Sequence, residues 1–281
     1  MRPSQLICGA AIHPTATLGE DVELEEGVSI GPYCVVEGRV KIGAGSSLLA
    51  HSVIQGTTLI GAGCKLGPHA AIGTDPQHHR YDGRETYLVI EDRVTIREFA
   101  TVHRATQTGL ENATRVGPES LLMVGSHVAH DCRLGERVIL ANAVQLGGHV
   151  TVGDRAVIGG GTVIHQFVRI GRLAMVAGGE ALAKDVLPFG AVFHSRHKGY
   201  NAIGCSRAGL NSETTRMLRS AFREIHSYRS ARHAIPKLRA GCLNELCYEV
   251  RELVEFIETS QRGIQPSTDL GVTLYSSDTL W

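Results

Sequence analysis

Aromatic side chains are scarce: they make up 5% of the 281 residues, with a single Trp. A core built from large rings is thereby excluded, and a narrow core of aliphatic side chains is expected. Net charge is absent, since 28 Lys and Arg balance 28 Asp and Glu, so overall charge does not point to nucleic acid. No apolar run reaches the roughly 18 residues of a transmembrane helix. The N-terminus MRPSQLICGAAIHP lacks the long apolar region of a signal peptide. The seven cysteines (Cys8, Cys34, Cys64, Cys132, Cys205, Cys242 and Cys247) are odd in number and show no C-x-x-C pairing. That argues against a disulfide framework or zinc ribbon, and for reduced thiols in a cytoplasmic protein.

What is abundant is glycine, with 33 residues, and an aliphatic residue at every sixth position. The beat runs from Ile12 through Leu18, Leu24 and Ile30 to Ile72. It returns at Ile90, Ile96 and Val102, and again from Val116 through Val128, Leu134, Leu146 and Ile164 to Leu182. An α-helix cannot hold it, because an apolar helical face recurs near every 3.6 residues. A six-residue beat is the signature of a hexapeptide parallel β-helix, each hexad supplying a short strand and a turn. Three hexads close one triangular coil. The expected fold is therefore all-β, a left-handed parallel β-helix over residues 8–195, interrupted by excursions at 74–86 and 104–115. Loops thrown from a rigid scaffold often carry function.

Helical spacing replaces the beat near residue 205. Asn211 and Ser212 are N-cap candidates. Leu218, Ala221, Phe222 and Ile225 share one helical face, and Leu243, Leu246, Val250, Leu253 and Ile257 share another. A small helical domain is expected over 205–263, able to cap one end of the solenoid, followed by a polar, repeat-free tail at 264–281 to which the sequence assigns no structure.

The histidines carry the chemistry by their phase. One coil is three hexads, so His130, Gly148 and Gln166 fall on one rib, with His149 and His165 beside it and His127 on the same strand region. None is an axial core position. Imidazoles gathered on one face suit proton transfer near neutral pH. Asp131 follows His130, and a carboxylate beside an imidazole fixes its tautomer, provided the pair sits at a corner. Gly148 leaves its N–H accessible for an oxyanion.

The segments SHVAHDC (126–132), LGGHV (146–150), VIHQF (163–167), IREFATVHRAT (96–106) and NAIGCSRAGL (201–210) resemble the UDP-N-acetylglucosamine 3-O-acyltransferase family that begins lipid A synthesis. The resemblance spans roughly residues 10–263. It implies transfer of a fatty acyl chain from acyl carrier protein to the sugar 3-position, in a homotrimer, with no cofactor beyond the carrier thioester and no metal. It also implies that His130 is the general base, Asp131 its orienting partner and Gly148 the oxyanion donor. His127, His149, His165 and Gln166 then line the sugar and phosphate site. His103 contacts substrate, as do the loop positions His78 and Arg80. Asn201 and Arg207 contact nucleotide and phosphate, and Gly178 limits acyl length. The chain departs from the family at His78 and Arg80, where Asp and Lys are usual, at Ala105 in place of the glycine of HRGT, and at Ile203 in place of a glutamate. These departures point to an altered donor or acceptor, such as a 3-amino sugar.

Between Arg196 and Arg239 stand ten basic residues and two acidic ones, Glu213 and Glu224. Arg216, Arg219 and Arg223 share a helical face. A basic face beside an acyl site suits an acidic carrier protein. Nucleic acid is not expected, because the aromatic interleaving of single-strand binders is missing. The rival readings are a hexapeptide acetyltransferase using acetyl-CoA, a carbonic-anhydrase-like metalloenzyme with His127, His130 and His149 as ligands, and a non-catalytic homologue.

Overall fold

A computed structural model describes residues 9–240 and 247–267. The expected helical positions Leu243 and Leu246, the cysteines Cys8 and Cys242, and the tail beyond 267 lie outside the described residues.

The chain forms a left-handed parallel β-helix followed by a small helical domain. Most strands are two residues long and stack into three sheets of 11, 9 and 8 strands. Ala11 pairs with Ser29 and Leu146 with Ile164, so one coil is eighteen residues, as the hexads require. The aliphatic beat points to the axis: Ile54, Ile72, Leu122, Val128, Ile158 and Val176 are all fully buried. Ile12 and Leu18 are only partly buried, because they lie in the first coil, where the prism is open. Polar groups inside the prism are used between coils. Ser46 donates to Gly61 O at 2.8 Å and accepts from Cys64 N at 2.9 Å.

The excursions leave the prism between Thr74 and Tyr87 and between His103 and Thr114. The first is pinned at its base. Arg104, almost fully buried, donates to Gly73 O and to the Asp75 carboxylate. Gly56 makes room for that guanidinium, since a Cβ there would overlap it. Glu85 accepts from Arg39 at 2.7 Å and from Thr57 at 3.2 Å. The loop tip, with His78, His79 and Arg80, is exposed.

After an antiparallel pair, Gly190–Phe193 with Arg196–Tyr200, the chain turns helical: α1 (Ala202–Arg207), α2 (Ser212–His226), α3 (Ile235–Ala240) and α4 (Tyr248–Thr259). Asn211 caps α2 by accepting from Thr214 N at 2.8 Å. Leu218, Phe222 and Ile225 of α2 pack with Val250, Leu253 and Ile257 of α4 over Leu187 and Phe189. Arg172 ties this layer to the prism through Glu252 at 2.8 Å. The helices therefore cover apolar surface that an open coil would expose. The residues just past α4 pair with the solenoid. Gln265 N donates to Asp185 O at 2.8 Å, and Ser267 bridges to His197. Their backbone groups complete pairing that the last coil leaves open.

Candidate active site

The site lies on the corner that follows the nine-stranded sheet. His127–Val128, Gln145–Leu146 and Val163–Ile164 are adjacent strands in register. Three residues on from the start of this register, His130, Gly148 and Gln166 stack one above another. The next position is the corner itself, where Asp131, His149 and Phe167 adopt φ of 61°, 61° and 64°. That left-handed turn swings Asp131 back toward the preceding side chain, which neighbours in an extended strand cannot do. His130 Nδ1 lies 2.7 Å from Asp131 Oδ2. A carboxylate only accepts, so Nδ1 donates and Nε2 keeps its lone pair.

Gly148 lies against the other side of the ring. A Cβ at this position would sit 2.5 Å from His130 Cε1 and 2.8 Å from Nε2. Gly148 N makes no backbone hydrogen bond among the described residues, whereas its neighbours Gly147 N and His149 N donate to Ile164 O and His130 O. The Gly148 backbone and the free nitrogen of the imidazole thus lie side by side.

The second excursion supplies partners that the sequence did not suggest. Thr106 N donates to Asp131 Oδ1 at 3.0 Å, and Thr106 Oγ1 donates to Oδ2 at 2.8 Å. Asp131 N donates to Thr114 Oγ1 at 2.8 Å. Burial pushes the Asp131 carboxyl up, but the hydrogen bonds from His130 and Thr106 outweigh it and hold the group below the ordinary carboxylate range. Thr106 is twenty-five residues from Asp131 because the excursion breaks the coil period. Its only sequence signal is its place beside the chemically rich stretch TVHR.

Several expected residues gather around this dyad. His149 Nε2 is 3.4 Å from Asp131 Oδ2, its ring stacks on Phe167 at 4.4 Å, and it meets His130 edge-on at 5.3 Å. The exposed His78 reaches in from the first loop to place its ring 5.5 Å from that of His130. His127 is fixed by Thr101 Oγ1 at 2.7 Å and touches His103, whose Nδ1 donates to Asp75 O at 2.7 Å. Burial keeps His103, His127 and His149 below the usual imidazole range, His127 at about 4 with the neighbouring histidines adding to the effect. Among the described residues the metal-capable grouping is His130, Asp131 and His149. His127, which the metalloenzyme reading also named, lies outside this grouping, with its Nδ1 2.7 Å from Thr101 Oγ1.

Other expected residues lie apart within the single chain. His165 and Gln166 are exposed one coil further on, and Arg262 Nη2 approaches His165 Nδ1 at 3.1 Å. Gly178 is exposed on a different edge, above Gly160. Asn201 caps α1, accepting from Gly204 N and donating to Leu173 O, both at 2.9 Å. Arg80 and Arg207 are exposed. The basic run is narrower than its count suggests. Lys237 pairs with Glu224 at 2.8 Å and Arg239 with Glu258 at 2.7 Å. Arg219 leans on Tyr200, whereas Arg216 and Arg223 stand on the exposed face of α2. Among the described residues no helix is long and apolar enough to cross a membrane.

Residues 185–265 match the family model described as "Udp N-acetylglucosamine O-acyltransferase; Domain 2". The chain is 43% identical over 257 residues to the acyl-[acyl-carrier-protein]–UDP-N-acetylglucosamine O-acyltransferase of Halorhodospira halophila, covering 90% of this chain and 98% of that one. It is 48% identical over 196 residues to the protein of the same name from Caulobacter vibrioides, covering 68% and 72%. The solved UDP-N-acetylglucosamine O-acyltransferase of Moraxella catarrhalis has a TM-score of 0.83 at 35% identity, covering 90% of this chain and 99% of that one.

Proposed function

We propose, for a chain that belongs to the acyl-[acyl-carrier-protein]–UDP-N-acetylglucosamine O-acyltransferase family, that the corner at His130 catalyses transfer of a fatty acyl group from acyl carrier protein to the 3-hydroxyl of UDP-N-acetylglucosamine, the opening step of lipid A synthesis. The observation that carries the assignment is the 2.7 Å pair of His130 Nδ1 and Asp131 Oδ2, with Nε2 turned to Gly148. His130 Nε2 takes the proton of the sugar hydroxyl as its oxygen attacks the thioester carbonyl. A C–O bond forms, and the oxyanion accepts from Gly148 N–H. Collapse breaks the C–S bond, and the leaving thiolate recovers the proton from Nε2. Asp131, locked by Thr106, holds the ring and offsets its transient positive charge.

The remaining roles follow the same reading. His78, Arg80, His103, His127, His149, His165 and Gln166 bind the sugar and diphosphate. Asn201 and Arg207 reach the nucleotide, and Gly178 leaves room for the acyl tail. Those last positions are far from His130 in one chain, which favours a homotrimer with sites between neighbouring coils. The exposed apolar Val163 and Phe167 beside the site support that packing. Arg216, Arg219 and Arg223 form the docking face for the acidic carrier. The thioester is the sole co-substrate, and the enzyme works in the cytoplasm. Rivals using acetyl-CoA, metal hydrolysis or no catalysis fit less well, because relatives matched over nearly their whole length bear the acyl-carrier name.

The test is incubation of purified protein with 3-hydroxyacyl and plain acyl carrier proteins and UDP-N-acetylglucosamine, followed by mass spectrometry. An O-acylated nucleotide sugar, formed by wild type and lost in His130→Ala, is expected. Absence of product with every carrier donor would overturn the reading.

A further inference from the structure

The catalytic corner has a second property. Three potential ligand atoms, one each from His130, Asp131 and His149, lie within 4.8 Å of one another. Around Asp131 Oδ2, His130 Nδ1 is at 2.7 Å and His149 Nε2 at 3.4 Å. Zinc with nitrogen and oxygen ligands at about 2.0–2.1 Å in a tetrahedron sets neighbouring donor atoms roughly 3.3 Å apart. The His149 distance already matches, the His130 distance needs to open by about half an ångström, and the two imidazole nitrogens, within 4.8 Å of each other, need to settle at that same spacing. Two imidazoles and one carboxylate form a common zinc ligand set, which leaves a fourth position for water. The side chains are differently exposed: 10% for His130 and Asp131 and 32% for His149, so the open side faces solvent through His149.

We propose that this corner is an inhibitory binding site for Zn2+ and similar borderline divalent ions, with His130 Nδ1, Asp131 Oδ2 and His149 Nε2 as its ligands. An ion on Nδ1 displaces the proton that Nδ1 donates to Asp131. The neutral imidazole then carries its one proton on Nε2. That is the nitrogen facing Gly148, and it has no lone pair left to receive the substrate's proton. Asp131 is simultaneously committed to the metal. The inference goes beyond acyl transfer, because binding of the ion requires no substrate.

The test uses Co2+ as a spectroscopic stand-in for Zn2+, on full-length protein without substrate. The expected result is one ion per chain, with the visible absorption of tetrahedral cobalt. His149→Asn should weaken binding by about tenfold or more, and Asp131→Asn should abolish the tetrahedral spectrum, with circular dichroism checking that each variant is folded. Zn2+ should inhibit acyl transfer over the range in which it displaces Co2+, and a chelator should restore activity. Two results overturn the proposal: a cobalt spectrum that persists in the His130→Ala/His149→Asn double variant, or full activity at saturating Zn2+. A chain that binds Co2+ as expected but transfers no acyl group would refute the acyltransferase reading and leave the metal site standing.

Discussion

Gly148→Ala tests the geometry of the site most directly. Gly148 is not in the left-handed region, so alanine brings no backbone strain. The cost is local: the new methyl carbon lies 2.5 Å from His130 Cε1, whereas ordinary contact starts near 3.4 Å, so the ring must retreat by about 0.9 Å. Retreat is resisted at Nδ1 by Asp131, which Thr106 grips twice. A misplacement of about 1 Å at a reacting group costs on the order of 100-fold in rate. Overpacking adds a stability loss of about 1–3 kcal/mol. The assay is kcat/KM for acyl transfer alongside a thermal melt. The decisive comparison is a double-mutant cycle with His130→Ala, itself expected to lose about two to four orders of magnitude. Once the imidazole is gone the methyl has nothing to displace, so Gly148→Ala should cost little more. Wild-type turnover in Gly148→Ala would refute the placement of the base. A full further loss in the double variant would mean that Gly148 acts through something other than His130.

Thr106→Val removes one charge-assisted hydrogen bond to Asp131, worth about 1.5–3 kcal/mol. Its kcat should fall roughly ten- to hundred-fold, with rescue by Thr106→Ser; equal losses in both would refute the hydroxyl's role. Burial holds His197 at about 3 and His127 at about 4, and His226 is also lowered by burial. The unfolded chain, with histidine near 6.5, therefore binds more protons in this range, and stability should fall as pH drops from about 6.5 toward 4. Melts against pH check this, and His197→Gln should flatten the curve; an unchanged slope would sink the assignment. Reversing Arg216, Arg219 and Arg223 to Glu should raise KM for the carrier-borne donor but not for a small thioester. The difference should shrink with salt as the Debye length falls from about 10 Å at 0.1 M to roughly 3 Å at 1 M. Equal loss with both donors would make these arginines structural.

What could be read in the sequence was what repeats. The aliphatic beat and the coil period follow from close packing in a narrow prism, and the same arithmetic placed His130 over Gly148 and His149 beside them. The amphipathic faces of α2 and α4 were legible because helix burial also has a period. What could not be read arises where the period fails. Eight extra residues separate Thr101 from its partner His127, and that excursion delivers Thr106 to Asp131. The first excursion brings His78 to His130 across the chain. The pairing of Lys237 with Glu224 and Arg239 with Glu258 depends on how helices pack, so a count of charges overstated the basic face. This division has a functional consequence. His130, Asp131 and Gly148 sit on the periodic corner, where any shift would disturb every neighbouring coil. His78 and Arg80 project from a loop pinned only at its base by Arg104 and Glu85. Changes at the loop tip can therefore alter the surroundings of this corner while leaving His130, Asp131 and Gly148 where they are. Two departures from the family pattern, His78 and Arg80, lie on the loop tip and Ile203 lies in α1, whereas Ala105 is buried beside Thr106; His130, Asp131 and Gly148 keep the residues the chemistry needs.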